Sequence, residues 1–390
     1  MPVALFALAI GAFGIGLTEF VVAGILPQIA TGFGVDIPTA GLMATTYALG
    51  VFVGAPILTV LGARVPRKTM LMVLAGIFTT GSVLTALAPT FEIALAGRII
   101  TAFNHGTFFG IGSIIAASLV ARERQASAIA FMFSGLTLAN LFGVPFGTWL
   151  AQAYDWRLVF WLIAAIGLVT VGSVALLVPR IGAGKAIAFK EELRAFVDPQ
   201  VLLAMGITVF GPAAFFTSIT YIAPMMLEKA QFTDAGIAWL MVLFGLGLAV
   251  GNWLGGRFAD RSLFGTLFVT LAAQAIVLFV FWIGVGSPIV AYASVFLMAA
   301  FGFATVSPIQ KLVMDRARSA GAPTMAASVN IGMFNLGNAI GAWAGGATIA
   351  AGFGLASPNW AGALLSLVAL ALAVMAWASA GKETQIAPAR

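Results

Sequence analysis

The sequence predicts an all-α integral membrane protein, with about twelve transmembrane helices in two pseudo-symmetric six-helix bundles. Three observations predict it. First, 61% of the 390 residues are hydrophobic and only 8% are charged, with a mean hydropathy of +1.08, well outside the range of soluble globular domains. Second, the apolar residues come in runs of about 20 or more, the length that crosses a bilayer as a helix. A membrane barrel would instead alternate in segments of about 10 residues, and helices are the other fold that satisfies its own backbone in lipid. Third, two local patterns recur at nearly one spacing. Leu61-Gly62-Ala63-Arg64 matches Phe258-Ala259-Asp260-Arg261, 197 positions on, and Leu138–Gly143 aligns with Leu336–Gly341, 198 positions on, with Thr137 opposite Asn335. A parallel duplication of six spans follows.

Taken in order, the runs give spans at about 3–30, 41–62, 69–88, 93–119, 127–151, 158–179, 200–226, 235–256, 264–284, 288–312, 325–352 and 360–380. The first run has no basic leader and no small-residue cleavage site before it continues past Glu19, so it is expected to be a retained span. Residues 1–180 then form the first bundle, 181–199 a polar cytoplasmic linker, and 200–390 the second bundle with a short tail. If the N-terminus is cytoplasmic, 16 of the 19 basic residues fall in inner loops and tails, while the outer loops keep only Arg157 and Lys229 and Arg98 lies inside a span. The positive-inside rule therefore predicts both termini in the cytoplasm, in a bacterial-type cytoplasmic (inner) membrane. This distribution accounts for the net charge of +6 without a nucleic-acid partner. The absence of cysteine excludes disulfides, thiolate catalysis and cysteine-ligated metals.

Sorting the 13 acidic residues by depth leaves Glu19 as the one far inside a span. A charge there costs roughly 2.5–3.5 kcal/mol on insertion scales, and such residues are functional by default. Glu19 is thus the candidate carrier of a transported proton. Arg98, a few residues into span 4, is the one deep basic residue, and its depth agrees with that of Glu19, so the two are expected to pair. His105 follows Arg98 by seven residues, about two turns on along one helical face. As the single histidine it suits either a relay or a neutral hydrogen-bonding group beside Asn104. A metal site is not expected, since no second histidine or cysteine accompanies the deep carboxylate.

Asn140 and Thr137 on span 5, and Asn338 and Asn335 on span 11, occupy equivalent places in the two halves, each pair spaced i, i+3. Pseudo-symmetry is expected to bring them together around a substrate cavity, with Tyr47 on span 2 and Phe215, Phe216 and Tyr221 on span 7 adding aromatic surface. No serine, acid and histidine grouping, paired carboxylates or metal cluster appears at depth, which argues against an enzyme. Short loops argue against a sensor or scaffold. The glycines at 110, 112, 245, 247 and 251 lie inside spans and follow no strand, so they read as packing faces and not as a nucleotide loop.

At several of these stretches the chain resembles the twelve-span drug:proton antiporters of the major facilitator superfamily, in the branch of arabinose-efflux-like, purine-efflux and chloramphenicol-efflux permeases. The stretches are GAFGIGLTEFVVAGILPQIA in span 1, GARVPRK after span 2, GRIITAFNHGTFFGIGSIIAA in span 4, SGLTLANLFGVPFGTWLA in span 5 and GGRFADRS after span 8. The resemblance implies two bundles rocking around a central cavity, with no cofactor beyond the coupling proton, and it links Arg98 to proton relay. Leu61–Lys68 resembles the family's inner gate, with Ala63 in place of the acid and Pro66 in place of the second glycine. Arg64, Arg67 and Lys68 are therefore expected to grip carbonyls or lipid phosphates, while Gly256, Asp260 and Arg261 keep the acid-base pair in the second half. Gly143, Pro145 and Gly147 approximate the family's antiporter motif and favour export. The expected function is proton-coupled export, by a monomer among membrane lipids, of a small neutral molecule such as a sugar, nucleoside or drug. Proton-coupled uptake is the alternative, and a membrane sensor or scaffold a remote one.

Overall fold

The computed structural model describes residues 2–62, 64–121, 124–180, 182, 198–259, 261–319 and 326–386. Among them, eleven helices are long and apolar enough to cross a membrane. A twelfth, span 11, runs from Ala326 to Thr348 and at 1.5 Å per residue is also long enough. Its lower apolarity comes from Asn330, Asn335 and Asn338, which are all buried. Span 11 packs between span 7 (Pro199–Ile219) and span 2 (Leu42–Gly62), so these amides face protein and not lipid.

The helices follow the expected runs within a few residues, and their interruptions have local causes. Span 2 is preceded by one turn, Ile37–Ala40, whose N-cap Asp36 accepts a hydrogen bond from the Thr39 amide at 2.8 Å; the Thr39 side chain and then this amide hold the exposed Asp36 carboxyl below its ordinary pKa. Span 4 is divided into Phe91–Ala102 and His105–Ser118, yet Phe103 and Asn104 keep helical φ and ψ, so one face continues through the break. Span 5 widens to a π turn at Ala139–Gly143, just before Pro145. A proline has no N–H to donate to the preceding turn, and such bulges accommodate the lost bond. Span 7 gives way after Ile219 to a short helix, Ile222–Lys229, and span 10 divides into Pro288–Ala304 and Val306–Ser319.

Within each half the spans pack closely. A Cβ on Gly337, Gly341 or Gly345 of span 11 would stand 2.1–2.6 Å from the carbonyl oxygens of Val209, Ala213 and Thr217 on span 7. The two helices can approach that closely only through glycine, the small-residue packing that membrane helices use in place of a hydrophobic drive. The halves meet where span 2 lies along span 11 and where span 5 lies along span 8 (Asp234–Ala259). At Gly245 a Cβ would be 2.3 Å from the Asn140 carbonyl. At the end of the molecule that carries the Phe33–Ile37 connection, the halves are closed. The Tyr221 hydroxyl donates to the Ala342 carbonyl at 2.8 Å and occupies the space that side chains on Gly41 and Gly346 would need. Of the predicted linker 181–199, only Gly182, Asp198 and Pro199 lie within the described residues.

Candidate functional site

Span 1 (Ala4–Phe33) is buried on nearly every side, because it packs against spans 5 and 6 of its own half and also touches spans 7 and 8 of the other. Glu19 sits midway along it, 9% exposed. One of its carboxylate oxygens, Oε1, accepts a hydrogen bond from Asn338 Nδ2 at 3.3 Å. This contact joins the first half to the second.

Arg98 is fully buried, and its bonds differ from the sequence expectation. Nη1 donates to Thr18 Oγ1 at 2.8 Å and Nε to the Met43 carbonyl at 3.1 Å, while the guanidinium lies 4.2 Å from the centre of the Tyr47 ring. Among the described residues no ion pair joins it to Glu19. The predicted pair is thus a near neighbour relation, mediated by Thr18, the residue next to Glu19. The cause is geometric: at the common depth a hydroxyl, a carbonyl and a ring satisfy three faces of the guanidinium, and its Nη2 is left without a partner.

Tyr47 also departs from its expected place. The sequence places it on the cavity wall with Phe215 and Tyr221, but its hydroxyl meets His105 Nδ1 at 3.1 Å and its ring carries Arg98. A polar path therefore runs Thr18, Arg98, Tyr47, His105, and Glu19 is the chain neighbour of its first member. His105 packs edge-on against Phe109, with ring centres 5.4 Å apart. Because the helical face persists through the break in span 4, Arg98 and His105 address the same tyrosine, as their spacing predicts.

Phe215 and Tyr221 belong to two other places. Phe215 joins Phe216, Phe244 and Phe303 of the second half, and Phe20, beside Glu19, packs on three of these rings at 5.7–6.1 Å. Tyr221 serves the closed end described above. The two asparagine pairs do not converge as a set. Asn338 crosses to Glu19, but Asn140 Nδ2 and Asn335 Nδ2 each donate to the carbonyl four residues back, Leu136 and Ile331, at 3.0 Å. Thr137 is half-buried. The Oδ1 atoms of Asn104, Asn140, Asn335 and Asn338 are buried and unpartnered, so hydrogen-bonding capacity remains at this level. A cavity of about 410 Å3 opens elsewhere, at the closed end, lined by Gln28, Thr31, Trp156, Arg157, Leu227 and Asp234 among others. Gln28 is nine residues along span 1 from Glu19, roughly 13 Å by helical rise, so this cavity is separate from the polar path.

Two motif expectations fare differently. Lys68 Nζ donates to the Ala175 carbonyl in the last turn of span 6 (Trp156–Leu177) at 2.7 Å, the carbonyl grip expected where the loop lacks an acid, and a cation there also suits the negative end of the helix. Arg64 is exposed and Arg67 half-buried, and Arg261 lies 5.8 Å from the Phe258 ring centre. Gly256 is near only Ser307. Ala63 and Asp260 lie outside the described residues. In span 5, a Cβ on Gly143 would press on Phe13 and one on Gly147 on Val21, so these glycines, with Pro145, let spans 5 and 1 come together behind Glu19.

Sequence reasoning missed Thr18, Phe20 and a buried polar chain in the second half. In that chain Thr208 donates to Asn330 Oδ1 at 2.8 Å and Asn330 Nδ2 donates to Gln310 Oε1. Thr18 was recoverable as the polar neighbour of the deep carboxylate. The others depend on which way each helix is rotated, which residue type does not report.

The profile of the Major Facilitator Superfamily matches residues 8–330. The chain is 45% identical over 371 residues to the inner membrane transport protein YdhP of Escherichia coli (strain K12), covering 95% of each. It is 33% identical over 384 residues to a chloramphenicol resistance protein of Streptomyces lividans, covering 96% of each. Its fold matches the crystal structure of a bacterial homologue of the human lysosomal transporter Spinster, in an inward-facing and unoccupied conformation, with a TM-score of 0.72, 18% identity and 96% coverage of each chain.

Proposed function

Since the chain belongs to the Major Facilitator Superfamily and is a multi-pass membrane transporter, not an enzyme, we propose that it exports small neutral organic molecules in exchange for protons, by alternating access. The observation that carries this reading is the state of Glu19: a buried carboxyl with no ion pair, held by a neutral amide. Arg98 is engaged with Thr18, the Met43 carbonyl and Tyr47, so the Glu19 carboxyl is left to take up and release a proton. With the one deep acid used for the proton and the one deep base engaged, no charged side chain at this depth among the described residues remains to neutralise a permanent charge on cargo. The unpartnered amide oxygens of Asn104, Asn140 and Asn335 suit a molecule that donates hydrogen bonds, such as a sugar, a nucleoside or a hydroxylated drug. The relative named for chloramphenicol resistance and the glycine-proline segment of span 5 support export. The coupling proton is the only cofactor, and the working unit is a monomer in the cytoplasmic membrane with both termini inside. One charge moving through 100 mV supplies about 2.3 kcal/mol before any pH gradient.

The test is proton flux in proteoliposomes holding a preset proton gradient, on addition of a panel of sugars, nucleosides and neutral drugs. The native protein is expected to dissipate the gradient only when its cargo is present, and the sidedness of the response gives export or uptake. Glu19→Gln is expected to abolish gradient-driven transport while cargo exchange persists; uphill transport by that variant removes Glu19 from the mechanism.

A further inference from the structure

We propose that Asn338 is the positioning residue through which the second half of the molecule reads the proton on Glu19, and that their contact latches the empty carrier. The inference rests on the reading of Glu19 as the proton carrier and adds the element that turns protonation into movement.

Three features carry it. The Asn338–Glu19 bond crosses between the halves. The backbone of Asn338 is tied to span 7, because Gly337 and Gly341 on either side of it lie against the Val209 and Ala213 carbonyls; a shift of its backbone away from Glu19 takes span 7 with span 11. Its free atom is the third feature. Nδ2 donates to Glu19, while Oδ1 is buried with no partner, and Asn338 is only 1% exposed.

A carboxamide is suited to both states of a carboxyl group. It donates N–H to the ionised form, and by turning over it accepts O–H from the protonated form. Each state keeps one hydrogen bond between the two side chains, but only the first bond is charge-assisted, and such bonds are roughly twice as strong as neutral ones. The ionised, empty carrier is therefore held closed, and either a proton on Glu19 or cargo competing for the amide loosens the contact. A carrier that moves only when loaded exchanges one passenger for the other and leaks neither. The charged and titratable groups facing Glu19 are Arg98 from span 4 and Tyr47 from span 2, with His105 behind Tyr47; spans 5, 6, 7, 8 and 11 bring none at that depth among the described residues.

The chain has no native cysteine, so Ala40→Cys, at a fully buried position beside the closed Gly41–Tyr221 contact, reports opening through maleimide labelling, normalised at each pH to the same thiol in denatured protein. In the otherwise native protein, labelling is expected to rise about 5-fold from high to low pH, the difference between a charge-assisted and a neutral bond. Asn338→Leu, and Asn338→Ala should the leucine variant fail to fold, is expected to flatten this response and to allow downhill cargo flux with no proton gradient. The infrared carboxyl band assigned by its loss in Glu19→Gln is expected to titrate still. A labelling response in both Asn338 variants equal to the native one overturns the latch. A native Glu19 band that does not titrate overturns the proton reading itself, and the latch with it, so the two failures are distinguishable.

Discussion

The two halves share a frame and fill it with opposite chemistry. Adding the 197–198 repeat spacing to the polar path of the first half gives its counterparts: Glu19 falls on Phe216, Tyr47 on Phe244, Arg98 on Val295 (each plus 197) and His105 on Phe303 (plus 198). In the first set a hydrogen bond joins Tyr47 to His105 and a cation-π contact joins Arg98 to Tyr47, while Arg98 also donates to Thr18, the chain neighbour of Glu19. Three of the second set belong to a ring cluster with Phe215 and Phe20, in which Phe215 stacks on Phe244 at 6.0 Å. Helix-to-helix bonds deep in the second half come from neutral side chains, as in Ser218 to Asn359, Ser366 to the Leu271 carbonyl and Gln274 to the Gly211 carbonyl. The contrast shows a division of labour. Charge in a membrane is expensive, so it is confined to one half, and the aromatic half lowers the local dielectric beside Glu19, which strengthens every electrostatic interaction there.

The largest effect on this contrast should come from emptying the charged half. Arg98→Ala leaves the buried Thr18 hydroxyl without its partner, at a cost of about 1–3 kcal/mol, and removes the second donor to the Met43 carbonyl. Gradient-driven transport is expected to fall by roughly two orders of magnitude, and the pH dependence of cargo binding to shift. Arg98→Lys is not expected to rescue it, because an ammonium cannot donate in a planar fork to two partners while lying over a ring. An unchanged pH profile for binding in Arg98→Ala would return this residue to a purely structural role. A smaller effect is expected from making the second half resemble the first. Phe244→Tyr places a hydroxyl among rings with no partner, and should lower stability in detergent by about 1–3 kcal/mol while leaving the proton-to-cargo ratio unaltered. A changed ratio would mean that the aromatic half takes part in proton movement and is not only a dry wall.

How far the sequence reports these features depends on which coordinate each one needs. Depth along a span is legible, since it follows from counting residues, and it isolated Glu19 and Arg98 and set them at one level. Chemistry at a loop is legible too: with no acid beside Arg64, the prediction that the loop cations reach carbonyls holds at Lys68. Rotation about the helix axis and the distance between non-neighbouring spans are not legible. That is why the sequence puts Tyr47 with the cavity aromatics when its ring lies against Arg98, and pairs Glu19 with the opposite charge when its partner is an amide 319 positions away. The symmetry argument found Asn338 but treated Asn140 as its equal. The structure separates them, because Asn140 sits in the π turn before Pro145 and spends its amide on Leu136.

The smallest expected effect lies at the loop after span 2, where the repeat also breaks its own symmetry: position 63 is alanine, and its counterpart at 260 is aspartate. Ala63→Asp gives the first half the acid that the second half has. The new carboxylate would adjoin in sequence the exposed Arg64 and precede Arg67 and Lys68 by four and five residues, and a pairing with an exposed cation is worth about 0–1 kcal/mol. That would move the balance between the two states of the proposed transport cycle by at most about 5-fold, partly by drawing Lys68 away from the Ala175 carbonyl. Lys68→Met in the native background removes the same grip without adding an acid. Maleimide labelling of a single cysteine at the closed end should shift in the same direction for both variants if the grip sets the balance. A shift in Ala63→Asp with none in Lys68→Met would assign the effect to the acid itself, and the two loops would then differ in chemistry without differing in role.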